Sequence, residues 1–141
     1  MLQPPLTVEK LLSAGGEFNE ASIRALEGVY HPEVKFRDAI QSLEGRDAFI
    51  AMNLRMVEKM DISFELLNIV GSPTCIFQSW NMGMRPRRRS RGSLSLNGAT
   101  ELVLDENGMV TAHTDHWDLW GPVWDATPLR KPYRWLVGKM G

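Results

Sequence analysis

From residue 61 onward the chain is written mostly in period two. Ile62, Phe64 and Leu66 alternate with Ser63 and Glu65, the pattern of a strand with one buried face. Residues 74–85 place Ile76, Trp80, Met82 and Met84 on one side, and residues 93–104 keep Leu94, Leu96, Leu102 and Leu104 on one parity. Asn97-Gly98 is a tight-turn dipeptide, but the unbroken parity around it predicts one strand with a bulge at Gly98. A fourth strand is expected over 110–120, after a turn running from Asp105 to Gly108. Gly71-Ser72-Pro73 and a hairpin loop over 86–92 separate the earlier strands. Such a sheet must bury its apolar face against something.

The preceding residues supply the cover. Over 17–30, Ile23, Leu26, Val29 and Tyr30 recur at helical spacing, and His31-Pro32 is expected to end that helix. Residues 33–40 read as a short strand with Val34, Phe36 and Asp38 on one face, and 41–45 as a loop. Over 47–60 a second helix carries the stripe Phe49, Met52, Met56 and Met60, which reads as core filler. Asn53 is the polar residue beside that stripe. Residues 1–16 read as an N-terminal arm. Residues 122–140 read as a partly helical segment, interrupted by Pro128 and Pro132 and docked on the body by Tyr133, Trp135 and Leu136, with 127–141 as the C-terminal tail of the domain. Helices first and strands afterwards make a single α+β domain over 1–141.

Composition narrows the classes. The 141 residues are 43% hydrophobic and 23% charged, with a formal net charge of −1, as in a soluble globular domain. No apolar run is long enough to span a bilayer, and the first residues lack the basic and apolar parts of a signal peptide. A cytoplasmic location is therefore expected. The near-zero net charge gives no overall pull towards nucleic acid or membrane, so neither is an expected partner. Cys75 is the sole cysteine, which excludes an intramolecular disulfide and a thiolate zinc site; in its apolar run it reads as an inert thiol. The arginines of Arg85-Pro86-Arg87-Arg88-Arg89-Ser90-Arg91 have no interleaved aromatics to stack bases. They read as a solvated hairpin tip.

The chemistry concentrates in Val110-Thr-Ala-His-Thr-Asp-His-Trp-Asp-Leu-Trp120. Alternation puts Thr114, His116, Asp118 and Trp120 on one face of the strand, and His113, Asp115, Trp117 and Leu119 on the other. Each face thus has an imidazole, a carboxylate and an aromatic wall, the parts of a small-molecule site. Taken singly, either pair could equally be a surface pair or a structural hydrogen bond. Metal binding by His113, His116, Asp115 and Asp118 would require a bulge to bring both imidazoles to one side. Neither a metal nor a cofactor is expected.

The order of these elements resembles the nuclear transport factor 2-like superfamily, and within it the SnoaL-like group. The resemblance rests on Val29-Tyr30-His31-Pro32, Val34-Lys35-Phe36-Arg37-Asp38 and Leu43-Glu44-Gly45-Arg46-Asp47-Ala48, and on the later Asp105-Glu106-Asn107-Gly108-Met109-Val110 and His116-Trp117-Asp118. It covers residues 17–126. It implies a cone-shaped fold: a strongly curved, mixed or antiparallel sheet wrapped around the N-terminal helices, a cystatin-like α+β roll with a deep apolar pocket. Homodimers formed through the outer sheet face are common in such proteins. Ketosteroid isomerases, polyketide cyclases, epoxide hydrolases and non-catalytic binders share the fold, so fold leaves the reaction open.

Carried over residue by residue, Asp38 falls where the isomerases keep their general base. Their first-helix tyrosine and late acid are missing; Thr100 stands at the latter position. His116-Trp117-Asp118 is similar to the cyclases, whose closing-strand aspartate is the acid/base. Asp38 and Asp118 also resemble two carboxylates of the epoxide hydrolases' Asp-Arg-Asp set, without an arginine between them. The resulting expectation is a cofactor-independent isomerase, cyclase or hydrolase acting on a hydrophobic small molecule. Its catalytic residues would be Asp118, Asp38 and His116. Tyr30, Asn53, Trp80, Met82, His113, Asp115, Trp117 and Trp120 would contact substrate. The alternative is a non-catalytic binder of a hydrophobic ligand, or a dimeric scaffold of the same fold.

Overall fold

Asn19 opens the first helix with a reciprocal cap. Its side chain accepts from the Ser22 amide at 2.9 Å, and its own amide donates to Ser22 Oγ at 3.0 Å, satisfying two donors that a helix start leaves unpaired. The computed structural model describes residues 18–88, 92–118, 128 and 130–140. Helix α1 (Glu20–Arg24) tightens into a 3-10 turn (Ala25–Gly28), and strand β1 (Tyr30–Arg37) begins at once. The helix expected to reach Tyr30 is thus shorter. His31-Pro32 does not end it, because the chain has already turned into β1. Pro32 instead lies in an irregular stretch between Tyr30 and Lys35, where the pairing register shifts; a residue with no N–H is tolerated there.

Strand β2 (Ser42–Glu44) takes part of what reads as a loop in the sequence, and pairs antiparallel with β1. Gly45 then turns the chain with φ +95°, a conformation that favours glycine. Its amide donates to the Val34 carbonyl at 2.8 Å. Helix α2 (Arg46–Lys59) follows, close to its expected bounds. Strands β3 (Met60–Gly71), β4 (Cys75–Pro86), β5 (Leu94–Leu104) and β6 (Val110–Trp117) complete one sheet in the order β2-β1-β6-β5-β4-β3. The β1–β6 pair is parallel and the others are antiparallel. This is the curved, mixed α+β sheet of the cone fold. No described helix is long and apolar enough to cross a membrane. Of the expected tail, helix α3 (Arg130–Gly138) is present, with Pro132 in its first turn where proline is tolerated. Trp135 and Leu136, expected to dock it, are exposed.

The interior has two halves. At one end Val34, Phe36, Phe49, Ile76, Leu102 and Val110 form a solid core. Towards the other end the sheet curls away from the helices, and Met52, Met56 and Met60 face a cavity. The methionine stripe therefore lines a hollow more than it fills a core.

Strand β5 runs unbroken through Asn97 and Gly98, which sit opposite Asn81 and Trp80. The expected bulge is not at Gly98. Register shifts instead near Leu67 in β3 and between Val103 and Leu104 in β5. Gly98 has another role: a Cβ there would fall 2.5 Å from Cη2 and 2.6 Å from Cζ2 of Trp80. The indole lies on bare backbone, and its Nε1–H is held by Thr100 Oγ1 at 2.8 Å, so the ring cannot swing aside without losing that bond. Gly98→Ala is expected to destabilise the fold by about 1–3 kcal/mol, read as a lower urea midpoint with an unchanged slope.

Candidate functional site

Strand β6 sorts its side chains by partner. Cross-strand register sets His113 opposite Leu102, Asp115 opposite Thr100 and Trp117 opposite Gly98, all on the concave face. Their neighbours Thr114, His116 and Asp118 turn away from that hollow. The His113 side chain is 12% exposed, whereas that of His116 is 62% exposed with Glu101 Oε2 4.0 Å away.

On the inner side the polar groups form one directed chain. Trp80 Nε1–H donates to Thr100 Oγ1, and the Thr100 hydroxyl donates to Asp115 Oδ1 at 2.5 Å. From the other direction His113 Nε2 meets the same Oδ1 at 2.8 Å, and His113 Nδ1 meets the Tyr30 hydroxyl at 2.7 Å. Burial, followed by the nearby Asp115 charge, pushes the Tyr30 phenol far above its ordinary value. Tyr30 therefore keeps its proton and donates it to Nδ1. This fixes the imidazole as the tautomer whose Nε2–H points at the carboxylate. Rings hold it there: the centroids of Phe36 and Phe49 each lie 5.2 Å from that of His113, and Tyr30 stacks on Phe49 at 5.0 Å. Among the described residues, Asp115 Oδ2 has no hydrogen-bond partner.

The network borders a cavity of about 540 Å³. Apolar side chains dominate its wall, including Phe64, Trp80, Met82, Leu96 and Trp117; Asp38, Asn53, Thr100, His113 and Asp115 are among its polar members. Buried Asn53 gives one amide N–H to the Phe49 carbonyl at 2.9 Å. Asp38, just past β1, ties a turn: Oδ1 accepts the Ile40 and Gln41 amides at 2.8 and 2.9 Å, and Oδ2 accepts Gln41 Nε2 at 3.2 Å. Asp118 is exposed and borders, with Asp38, Arg37 and His116, an open cleft of about 780 Å³. Trp120 lies outside the described residues.

Of the sequence candidates, the structure joins Tyr30, Trp80, His113 and Asp115 and sets Asn53, Met82, Trp117 and Asp38 on the same cavity. It leaves His116 and Asp118 off that cavity, on the open cleft that Asp38, Asp115 and Trp117 also border. Thr100, Phe36 and Phe49 are additional members. The inward parity that Thr100 shares with Leu96 and Leu102 was the available signal for it. Elsewhere, Arg85 and Arg87 each pair with Asp61, at 3.2 and 3.3 Å, and residues 89–91 of that loop lie outside the described residues. Among the described residues, no cluster of side chains suits a metal ion.

Because the folded phenol holds its proton well past the ordinary tyrosine value, stability from this site is fully present below pH ~10, where unfolded tyrosine is protonated too. Above that, unfolding releases a proton and stability falls by about 1.4 kcal/mol per pH unit. Tyr30→Phe is expected to lower stability near neutrality by about 0.5–1.5 kcal/mol through the lost hydrogen bond. It should also remove this alkaline slope, so that the two unfolding curves converge as pH rises.

Solved structures share this architecture. The chain superposes on an LEH-like epoxide hydrolase of M. tuberculosis at a TM-score of 0.67 and 12% identity, covering 94% of this chain and 93% of that one. A Shewanella putrefaciens CN-32 protein, assigned as a SnoaL-like polyketide cyclase, gives 0.69 and 16%, covering 87% and 96%. A Catenulispora acidiphila protein with a ketosteroid isomerase-like fold, solved in complex with trimethylamine, gives 0.67 and 14%, covering 85% and 91%. At these identities the likeness is one of fold. No curated protein matches the sequence. Residues 22–113, from the first helix to the imidazole of the network, match the family described as "Uncharacterized conserved protein (DUF2358)". The chain belongs to that family, and it has the nuclear transport factor 2-like fold.

Proposed function

We propose that the protein is a cofactor-independent acid–base enzyme acting on an apolar small molecule, with Asp115 as general base. The observation that carries this reading is the unequal use of one carboxylate. Oδ1 receives both internal donors, Thr100 and His113, while Oδ2 has no partner among the described residues and the side chain borders an apolar cavity. A base must be held still within reach of the proton it removes. Here Thr100 with Trp80, and His113 with Tyr30, do the holding. Both ring nitrogens of His113 are engaged, so His113 positions the base and does not shuttle protons.

The chemistry that fits is removal of a proton from carbon beside a carbonyl. Oδ2 would take the proton, and the electron pair would move onto the carbonyl oxygen. Asn53 has a second amide N–H beyond the one given to Phe49, available to that oxygen. The methionines give a deformable wall to an apolar substrate body. On this reading Asp38 braces the turn at the cavity edge, and His116 and Asp118 take no part in the reaction.

A second reading is a binder without turnover, favoured by the mutual satisfaction of Trp80, Thr100, His113 and Tyr30. One probe separates the two: 5-nitrobenzisoxazole, whose ring opens when a base removes its carbon-bound proton. Asp115→Asn is expected to slow ring opening by about 10²–10⁴-fold while displacement of a bound apolar fluorophore stays unchanged. Asp38→Asn should retain the wild-type rate. Equal rates for wild type and Asp115→Asn would remove the general base and leave the binder.

We also propose that two copies pair through the outer sheet face, where Val70, Phe77 and Val103 are exposed and Phe77 lies directly opposite Val70. Gel filtration should give a dimer for the wild type and a monomer for Phe77→Glu. A monomeric wild type rules the pairing out.

A further inference from the structure

Helix α3 divides into two chemically opposite arcs. At helical spacing Leu136, Met140 and Val137 fall on one arc, and Arg130, Arg134, Lys131 and Lys139 spread over the rest, with Arg130 and Arg134 bordering Val137. The apolar arc is not covered by the body of the protein: Leu136 is 55% exposed, Val137 45% and Met140 82%. Trp135 lies within the basic arc, between Lys131 and Lys139, 63% exposed, with Lys139 Nζ 4.0 Å above its ring. The segment 126–141 holds no aspartate or glutamate, although acids outnumber bases in the whole chain, 17 to 16. The near-zero net charge thus averages over a strongly segregated distribution.

An exposed apolar arc beside one whose charges are all cationic calls for an occupant that is apolar within and negative at its surface. We propose that α3 is an interfacial anchor that lays the protein on an anionic lipid surface. Leu136, Val137 and Met140 enter the boundary between headgroups and acyl chains, while the basic arc contacts the headgroups. Trp135, with a cation over its ring, suits the headgroup level, where indoles prefer to sit. So short a helix buries little area, so attachment is reversible and depends on its charges. The inference is independent of the Asp115 chemistry. Joined to it, the bilayer becomes the place from which an apolar substrate is taken.

The test is co-sedimentation of the full chain with vesicles of phosphatidylcholine alone, and of phosphatidylcholine mixed with phosphatidylglycerol. The wild type is expected to pellet with the mixed vesicles, to stay in solution with the neutral ones, and to be released by high salt. Lys131→Gln should weaken partitioning by about fivefold, the share of one cation near an anionic surface, and Leu136→Asp should abolish it. Both positions are exposed, so both variants should melt with the wild type. Failure of the wild type to pellet with the mixed vesicles overturns the proposal, as does pelleting of Leu136→Asp to the wild-type extent. A helix that pairs copies of the chain gives a different result: Leu136→Asp then shrinks the particle in gel filtration, no vesicle is bound, and the lipid assignment falls.

Discussion

A single carboxylate oxygen, Asp115 Oδ1, organises the concave face of this sheet. The donors of Thr100 and His113 end on it, and those of Trp80 and Tyr30 reach it through them. The four residues come from β1, β4, β5 and β6, so one acceptor ties together the middle of the sheet. Sheet register is otherwise held by apolar patterning, and a slip of one residue reverses every side chain. In β6 such a slip would carry His113 and Asp115 to the outer face, leaving the buried Thr100 hydroxyl without its carboxylate and the Tyr30 hydroxyl without its imidazole. An unsatisfied buried donor costs about 1–3 kcal/mol, so the polar chain and the apolar pattern select the same register.

The hollow beside this network follows from the same sheet. Close packing prevails where β1, β4, β5 and β6 face Phe49, and ends where the long strands diverge from α2. Two small features keep that region open and shaped. The irregularity at Leu67 bends β3, and Gly98 lets Trp80 lie flat against β5. The wall is then completed by Met52, Met56, Met60, Met82 and Met84, residues with many rotamers and no rigid shape.

Most of the architecture was legible in the sequence because it rests on periodicity. The four long strands and α2 were expected close to where they lie, and the parity of 110–120 correctly divided His113, Asp115 and Trp117 from Thr114, His116 and Asp118. Which of those faces looks inward was not legible, since each has an imidazole, a carboxylate and a tryptophan. Cross-strand partners decide it: Leu102 opposite His113 and Thr100 opposite Asp115. Such pairings depend on register between distant segments, which one sequence does not state. His31-Pro32 misled for a related reason. Proline excludes a helix equally well as a breaker or as an irregular strand residue, and tertiary pairing with β6 chose the second. The methionine stripe has the same spacing whether it faces a core or a hollow.

The network also bears on why a charged group is kept in this position. A half-buried carboxylate with its donors is a poor way to gain stability, since well-packed apolar residues of similar size commonly do as well or better. Were packing the only demand on β6, apolar residues at 113 and 115 could have continued the buried face that Val110 begins, against Leu102 and the Phe36–Phe49 pair. Instead, groups from four strands are satisfied through one oxygen of Asp115 while its other oxygen has no partner among the described residues. A structural hydrogen-bond anchor does not call for that asymmetry; with the Asp115 side chain 21% exposed, Oδ2 is open to solvent and to a ligand in the cavity. A site that takes up a proton requires the asymmetry, since the oxygen that reacts must not already be engaged. The division of labour between the two oxygens, more than the presence of an acid near a pocket, is the physical ground for proposing Asp115 as the base.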